Sequence, residues 1–173
     1  MNAELVAEIH AAFGQARLGD GLSLHQAWAM ELLQPPEDVL AARALDTEQR
    51  WQDIPDDKVE EFHFALTFMD PEGLRFHLPR FMVFSLEHPG LDSPAVDAAV
   101  YACDFGDESM EQEVLKQFNA MSRRQMRMIA KFLMHVAEAS DEHYDTMVAA
   151  IAVDAFWYQF LEAPAEAPPQ PSA

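Results

Sequence analysis

The chain is poor in the residues that most often mark a chemical site. It has one cysteine, six glycines and only 11 Lys+Arg against 30 Asp+Glu in 173 residues. Cys103 alone cannot close an intramolecular disulfide or supply a thiolate metal cluster. The glycines are scattered, and Gly19-Asp20-Gly21 has neither a preceding strand nor the rest of a dinucleotide fingerprint, so phosphate-loop chemistry is not expected. At a net charge of -19 the chain lacks the clustered cations that binding to nucleic acid or an anionic membrane requires. Its most apolar stretch, Met147 to Leu161, is shorter than the roughly 20 residues of a membrane span and contains Asp154. Met1-Asn2-Ala3-Glu4 opens an amphipathic pattern and not a charged leader, so a cytoplasmic, reduced setting is the expectation.

What the chain does have is apolar residues, half of its length, enough for one domain with a substantial core over residues 1–161. Leu5, Ile9, Ala12, Phe13 and Ala16 recur at helical spacing and predict a first helix over residues 2–17. Ser23 is placed to cap a second, stopped by Pro35-Pro36, and Pro36 with Glu37 and Asp38 has the composition of a third helix start. Trp51-Gln52-Asp53-Ile54-Pro55 reads as an extended elbow leading into a helix from Asp56-Asp57. Further helices are expected at 80–87, from Ser93-Pro94 to Cys103, around Met110 to Phe118, from Ser122 to Ala139, and from Ser140 or Asp141 to Leu161. One segment predicts strands. Asp70-Pro71-Glu72-Gly73 has the residues of a tight turn, and the alternation on either side predicts a β-hairpin over 66–77 with Phe68 and Phe76 facing inward. The expected fold is therefore a mostly α, single-domain helical bundle of six to eight helices with one small hairpin. Residues 162–173 hold four prolines and four alanines and are expected to be a disordered tail.

Three blocks carry a resemblance: Trp51-x-Asp53-Ile54-Pro55; Phe68-x-Asp70-Pro71-Glu72-Gly73-x-Arg75-Phe76-x-Leu78-Pro79-x-Phe81-Met82; and Phe118 followed by Ser122, Gln125 and Phe132-Leu133. Over roughly residues 50–138 the chain resembles a family of small bacterial proteins catalogued as a domain of unknown function. The resemblance implies a bacterial source and a single-domain fold, and supplies no activity.

Two constellations stand out by chemistry. Asp70, Glu72, Arg75, His77 and Arg80 are five ionisable groups within eleven positions, and with Trp51 beside them Asp70, Glu72 and His77 are the candidate catalytic residues of a small hydrolase. Against that, Asp70 and Glu72 are ordinary turn residues, and in a hairpin Arg75 and His77 alternate with Phe76 and point to solvent. The second constellation is cationic. Residues 114–137 contain no acidic residue and five of the eleven basic ones. Arg123, Arg124, Arg127 and Lys131 fall within an arc of about 100 degrees on one helix. Such a stripe either neutralises the protein's own acidic helices or docks an acidic partner or small anion. Neither Glu60/His63 nor His135/Glu138 completes a metal-ligand pattern, so no metal or cofactor is expected. Cys103 shares a helical face with Val96, Ala99 and Val100 and reads as a small buried hydrophobe.

The leading functional expectation is a non-catalytic protein-protein interaction module whose acidic surface engages a basic partner, for example in an immunity or antitoxin-like role. The alternative is the hydrolase at residues 70–80.

Overall fold

The computed structural model describes residues 2–104, 111–140 and 144–161. The expected disordered tail, and the cap at Asp141, lie outside these residues. In chain order the helices are α1 (Asn2–Phe13), α2 (Leu24–Glu31), α3 (Pro36–Ala42), α4 (Asp56–Glu61), α5 (Pro71–Glu87), α6 (Pro94–Ala102), α7 (Glu111–Gln117), α8 (Arg123–Ala137), α9 (Thr146–Ala152) and α10 (Tyr158–Leu161). Short 3₁₀ turns occur at Arg43–Leu45, Trp51–Asp53 and Ala65–Phe68, and a π-helical turn over Val153–Trp157 joins α9 to α10.

The expected hairpin does not exist: the described residues contain no strand. The Asp70-Pro71-Glu72-Gly73 block is instead the beginning of α5, with Pro71 in its first turn and the Asp70 Oδ1 accepting the Gly73 amide at 2.8 Å. The reason is that one set of preferences serves both structures. A side-chain acceptor, then proline, then an acid suits a tight turn, and it suits a helix N-terminus equally well. The following residues decide. From Gly73 to Leu86 nearly every side chain is buried, on all sides of the axis. A helix wrapped by neighbours satisfies that pattern, whereas one face of a two-stranded hairpin does not. Pro79 sits inside α5. It deprives the Arg75 carbonyl of its helical donor, a cost of about 3 kcal/mol in an isolated helix that the surrounding packing offsets.

α5 is the axle of the fold. It packs against α1, α4, α6 and the turns at 51–53 and 65–68, and α8 packs against α1, α9 and α10 on the far side. The buried residues of these elements form one core cluster, rich in phenylalanine: Phe13, Phe62, Phe76, Phe81, Phe84 and Phe132 are among its largest members. The entry to α5 is tied down from a distance. Asp70 Oδ1 also accepts the Leu22 amide at 2.9 Å. The approach is so close that a Cβ on Gly21 would lie 2.5 Å from the Gly73 nitrogen, which is why a side chain is excluded there.

Other starts follow the expected chemistry. Ser23 precedes α2 and its amide donates to Gln26 Oε1 at 3.1 Å. Ser122 and Gln125 form a reciprocal box at the head of α8, and Gln125 Nε2 donates onward to the Ala12 carbonyl at 3.4 Å, linking α8 to α1. The last helical segment departs from expectation: it begins at Thr146 and not after Ser140 or Asp141, and its cap is Asp145, whose side chain accepts the Val148 amide at 3.2 Å.

Candidate partner-docking site

The candidate catalytic residues are positioned by the helical start of α5, and that start separates them. Asp70 spends one oxygen on two backbone amides. Glu72 is exposed on the first turn. His77, expected at the surface of a hairpin, is buried; its Nδ1 lies 2.8 Å from the Gly73 carbonyl. Burial pulls its ring down to about 4, against the Gly73 carbonyl and the acidic Asp46 and Glu48, with Arg43 opposing them. The ring is therefore neutral at pH 7 and serves as packing with one hydrogen bond.

Arg75 and Arg80 also turn inward instead of lining a cleft. Arg75 reaches the Ala120 carbonyl at 3.4 Å, bracing α5 against the segment before α8. Arg80 donates through Nε to the Ile54 carbonyl at 2.8 Å and pairs with Asp56, which fastens the Trp51–Ile54 elbow to the middle of α5. Trp51 itself is fully buried. Its indole donates to the Phe13 carbonyl at 2.9 Å and its ring lies 4.7 Å from that of His10. The Trp-elbow block is thus a joint between α1, α4 and α5.

The cationic stripe on α8 is divided. Lys131 pairs with Glu8 on α1, so that end is neutralised within the molecule. Arg127 is half-buried, while Arg123 and Arg124 stand exposed at the head of the helix. Beside Lys131 a shallow groove of about 250 Å³ runs between α1 and α8, floored by Leu5, Met134 and Leu161. Its rim mixes Glu4, Glu8 and Glu138 with Lys131 and His135, so it presents no field of one sign. Cys103 is buried, which pushes its thiol up and leaves it unreactive. Among the described residues no group of three or more His, Cys, Asp or Glu is disposed to hold a metal ion.

The feature that composition and periodicity did not reveal is on α2 and α3. α3 buries none of its residues. Along this helical hairpin Trp28, Met30, Leu32, Leu33, Leu40 and Leu45 are all exposed, Leu33 at 91% and Leu40 at 71%. Two adjacent short helices with this many large apolar side chains in water are more than a monomer usually shows. The turn between the helices carries strain as well. Leu33 has φ 53, its amide donates to the Met30 carbonyl at 2.9 Å, and the Gln34 amide donates to the Ala29 carbonyl at 2.9 Å. This is the Schellman closure, in which glycine normally occupies the left-handed position. A leucine there costs on the order of 1–2 kcal/mol and gains no burial in return.

Charge around the patch is one-sided. Glu31, Glu37 and Asp38 are exposed on the two helices. The nearest cations are used internally. Arg43 donates to the carbonyls of Gly19 and Gly21 and to Gln26 Oε1. Lys58 holds Asp46 at 3.1 Å and Glu48 at 2.7 Å. Asp46 also accepts the His25 amide and ring; burial alone would raise its carboxyl, but the Ser23 hydroxyl, His25 and Lys58 together hold it down to about 2. That network is a rigid base under the hairpin. The residues themselves stand in the sequence as Leu32-Leu33 before Pro35-Pro36 and as Leu40 and Leu45, but helical spacing does not distinguish an exposed leucine from a buried one.

Among the described residues, fold and site together define an all-helical protein with exposed apolar side chains and carboxylates on α2 and α3. The chain belongs to the family of unknown function DUF6714, whose match spans residues 1–161. That match extends the resemblance read from residues 50–138 to both ends of the described fold. No curated protein and no solved structure matches the chain. Among the described residues no helix is long and apolar enough to cross a membrane.

Proposed function

We propose that the protein is a non-catalytic interaction module whose α2–α3 hairpin docks a basic partner, taking apolar anchors into a surface rimmed by carboxylates. The observation that carries this reading is α3, a helix that buries nothing, standing beside a leucine held at positive φ in solvent. Apolar contact supplies the affinity, and Glu31, Glu37 and Asp38 select and steer a cationic segment. An immunity or antitoxin-like role against a basic toxin is one form of such docking. No observation favours the hydrolytic alternative at Asp70, Glu72 and His77, since those groups do not converge.

The test uses a labelled amphipathic peptide of leucine and lysine at helical spacing, titrated against the full chain by fluorescence anisotropy. Binding is expected, and it weakens as salt is raised. Leu40→Asp is expected to abolish it, although that change makes the protein more acidic and would strengthen attraction by charge alone. Binding by Leu40→Asp as tight as that of the natural chain overturns the reading.

A further inference from the structure

Two short helices of the protein stand on different footings. α4, six residues long, buries Val59, packs against α5 and α6, and is tied to α5 through the Arg80–Asp56 pair. α3, seven residues long, buries none of them and packs against α2 and the Arg43–Leu45 turn. Its capping position is Pro35, which offers no side-chain acceptor to the first amides. Helices shorter than about 12 residues are marginal in water unless tertiary packing supplies what nucleation costs. α3 receives little of that packing. Leu40, its largest side chain, is 71% exposed and returns almost no burial for the ordering of the helix.

The chain on either side is fixed. Before α3, the Leu33 and Gln34 amides donate to the Met30 and Ala29 carbonyls, so that turn is held by α2. After α3, the Arg43 guanidinium donates to the Gly19 carbonyl at 2.7 Å, to the Gly21 carbonyl and to Gln26 Oε1 at 3.2 Å. Three residues on, Asp46 accepts the His25 amide at 2.9 Å and pairs with Lys58 at 3.1 Å. The seven residues between these anchors span about 10 Å as helix and up to about 23 Å extended, so α3 can unwind without moving either anchor. Unwinding gives up a few solvent-exposed backbone hydrogen bonds and no buried side chain, which places α3 at the low end of local stability.

We propose that α3 is a conditionally wound helix: in the free chain it opens and closes independently of the core, and a bound partner holds it closed. This behaviour rests on the docking reading of the α2–α3 hairpin and regulates that same site. Unwinding scatters Glu37, Asp38 and Leu40 relative to Trp28, Leu32 and Leu33, so the docking surface is assembled only while α3 is wound. The partner's affinity is then scaled by the wound fraction, and the partner, binding that fraction alone, draws the equilibrium toward it.

Native-state hydrogen exchange of the full chain, followed by NMR at low urea concentrations, is the direct test. The amides of Val39 to Arg43 are expected to be protected less than about 100-fold, at rates that low urea leaves unchanged. Those of Phe81 to Ser85 in α5 are expected to be protected at least about 1,000-fold, with protection falling as urea rises, because they open only with the whole fold. The leucine-lysine peptide, at about 100 times its dissociation constant, is expected to slow exchange in α3 by more than about tenfold. Amides of α3 that are as protected as those of α5 and respond to urea in parallel overturn the proposal. So does a peptide that binds by anisotropy and leaves exchange in α3 unchanged. A peptide that shows no binding overturns the docking reading, and the partner's hold on α3 with it; exchange in the free chain then decides whether α3 opens.

Discussion

α3 and α5 begin alike and end at opposite extremes. Each opens with proline at its first position and acid in its first turn: Pro36-Glu37-Asp38 in one, Pro71-Glu72 in the other. Yet α5 buries thirteen of its seventeen residues and α3 buries none of its seven. Start signals specify that a helix forms, because they satisfy the orphan amides and match the helix dipole. They say nothing of where the helix lies. Burial is decided by what the rest of the chain brings to each face, so α5 is held by the core, whereas α3 keeps its apolar side chains at the surface.

The sharpest way to break the contrast is to remove one large side chain from each helix. Phe81→Ala in α5 is expected to cost about 3–5 kcal/mol, since the ring is fully buried and the surrounding helices cannot close over the void. Leu40→Ala in α3 is expected to change stability by less than about 0.5 kcal/mol. Urea unfolding of the two variants side by side measures both. A loss of more than about 2 kcal/mol for Leu40→Ala, of the size a buried leucine gives, would mean that α3 is covered in solution.

The second expected effect belongs to His77, which ties the charge of α5 to pH. The ring titrates at 6.5 when unconstrained and at about 4 in the folded protein, because burial disfavours its charged form. As pH falls below 6.5 the unfolded chain takes up the proton first, so stability declines between about 6.5 and 4, by up to about 3 kcal/mol. Above 6.5 the group contributes no slope. His77→Gln is expected to reduce the slope in that window in urea midpoints measured across it, leaving the contribution of His135, which burial also pulls down. Asp46 does not interfere. Its folded value of about 2 against 3.8 means that its contribution is lost only as pH falls from about 4 toward 2.

The same pair of helices shows how much was legible in the sequence. The helix starts at Ser23 and Ser122 and the proline starts at Pro36 and Pro94 were readable because they depend on neighbours one to three residues away. The hairpin was misread because the Asp-Pro-Glu-Gly block is ambiguous locally; only the nearly continuous burial from Gly73 to Leu86 resolves it, and burial is a property of the whole fold. The candidate site failed for the same reason. Density of ionisable residues selected Asp70, His77 and Arg80, which turn out to be a cap, a packed ring and a strut. The cationic stripe fared better in part, with Lys131 neutralised by Glu8 and Arg123 and Arg124 left outward. Cys103 was legible as a buried hydrophobe because its helical face was apolar throughout. The exposed apolar side chains of α2 and α3 escaped because exposed and buried leucines have the same periodicity, and the one local oddity, a leucine where a Schellman turn prefers glycine, is visible only as a backbone angle.

That leucine gives the smallest effect and the most discriminating one. Leu33→Gly relieves the left-handed strain and removes almost no buried area, so the protein is expected to gain about 1 kcal/mol, offset in part by the greater freedom of glycine in the unfolded chain. Urea midpoints read the gain. If the leucine is retained as an anchor for a partner, the same substitution weakens binding of the leucine-lysine peptide while it stabilises the fold, a trade that a purely structural residue does not show. A loss of stability in Leu33→Gly would place the side chain in the packing of the hairpin itself. A gain in stability with unchanged peptide binding would leave α3 exposed but move the docking contact to Leu40 and Leu45. The combination of a more stable fold and weaker binding is the outcome that separates a helix kept at the surface for a partner from one merely stranded there.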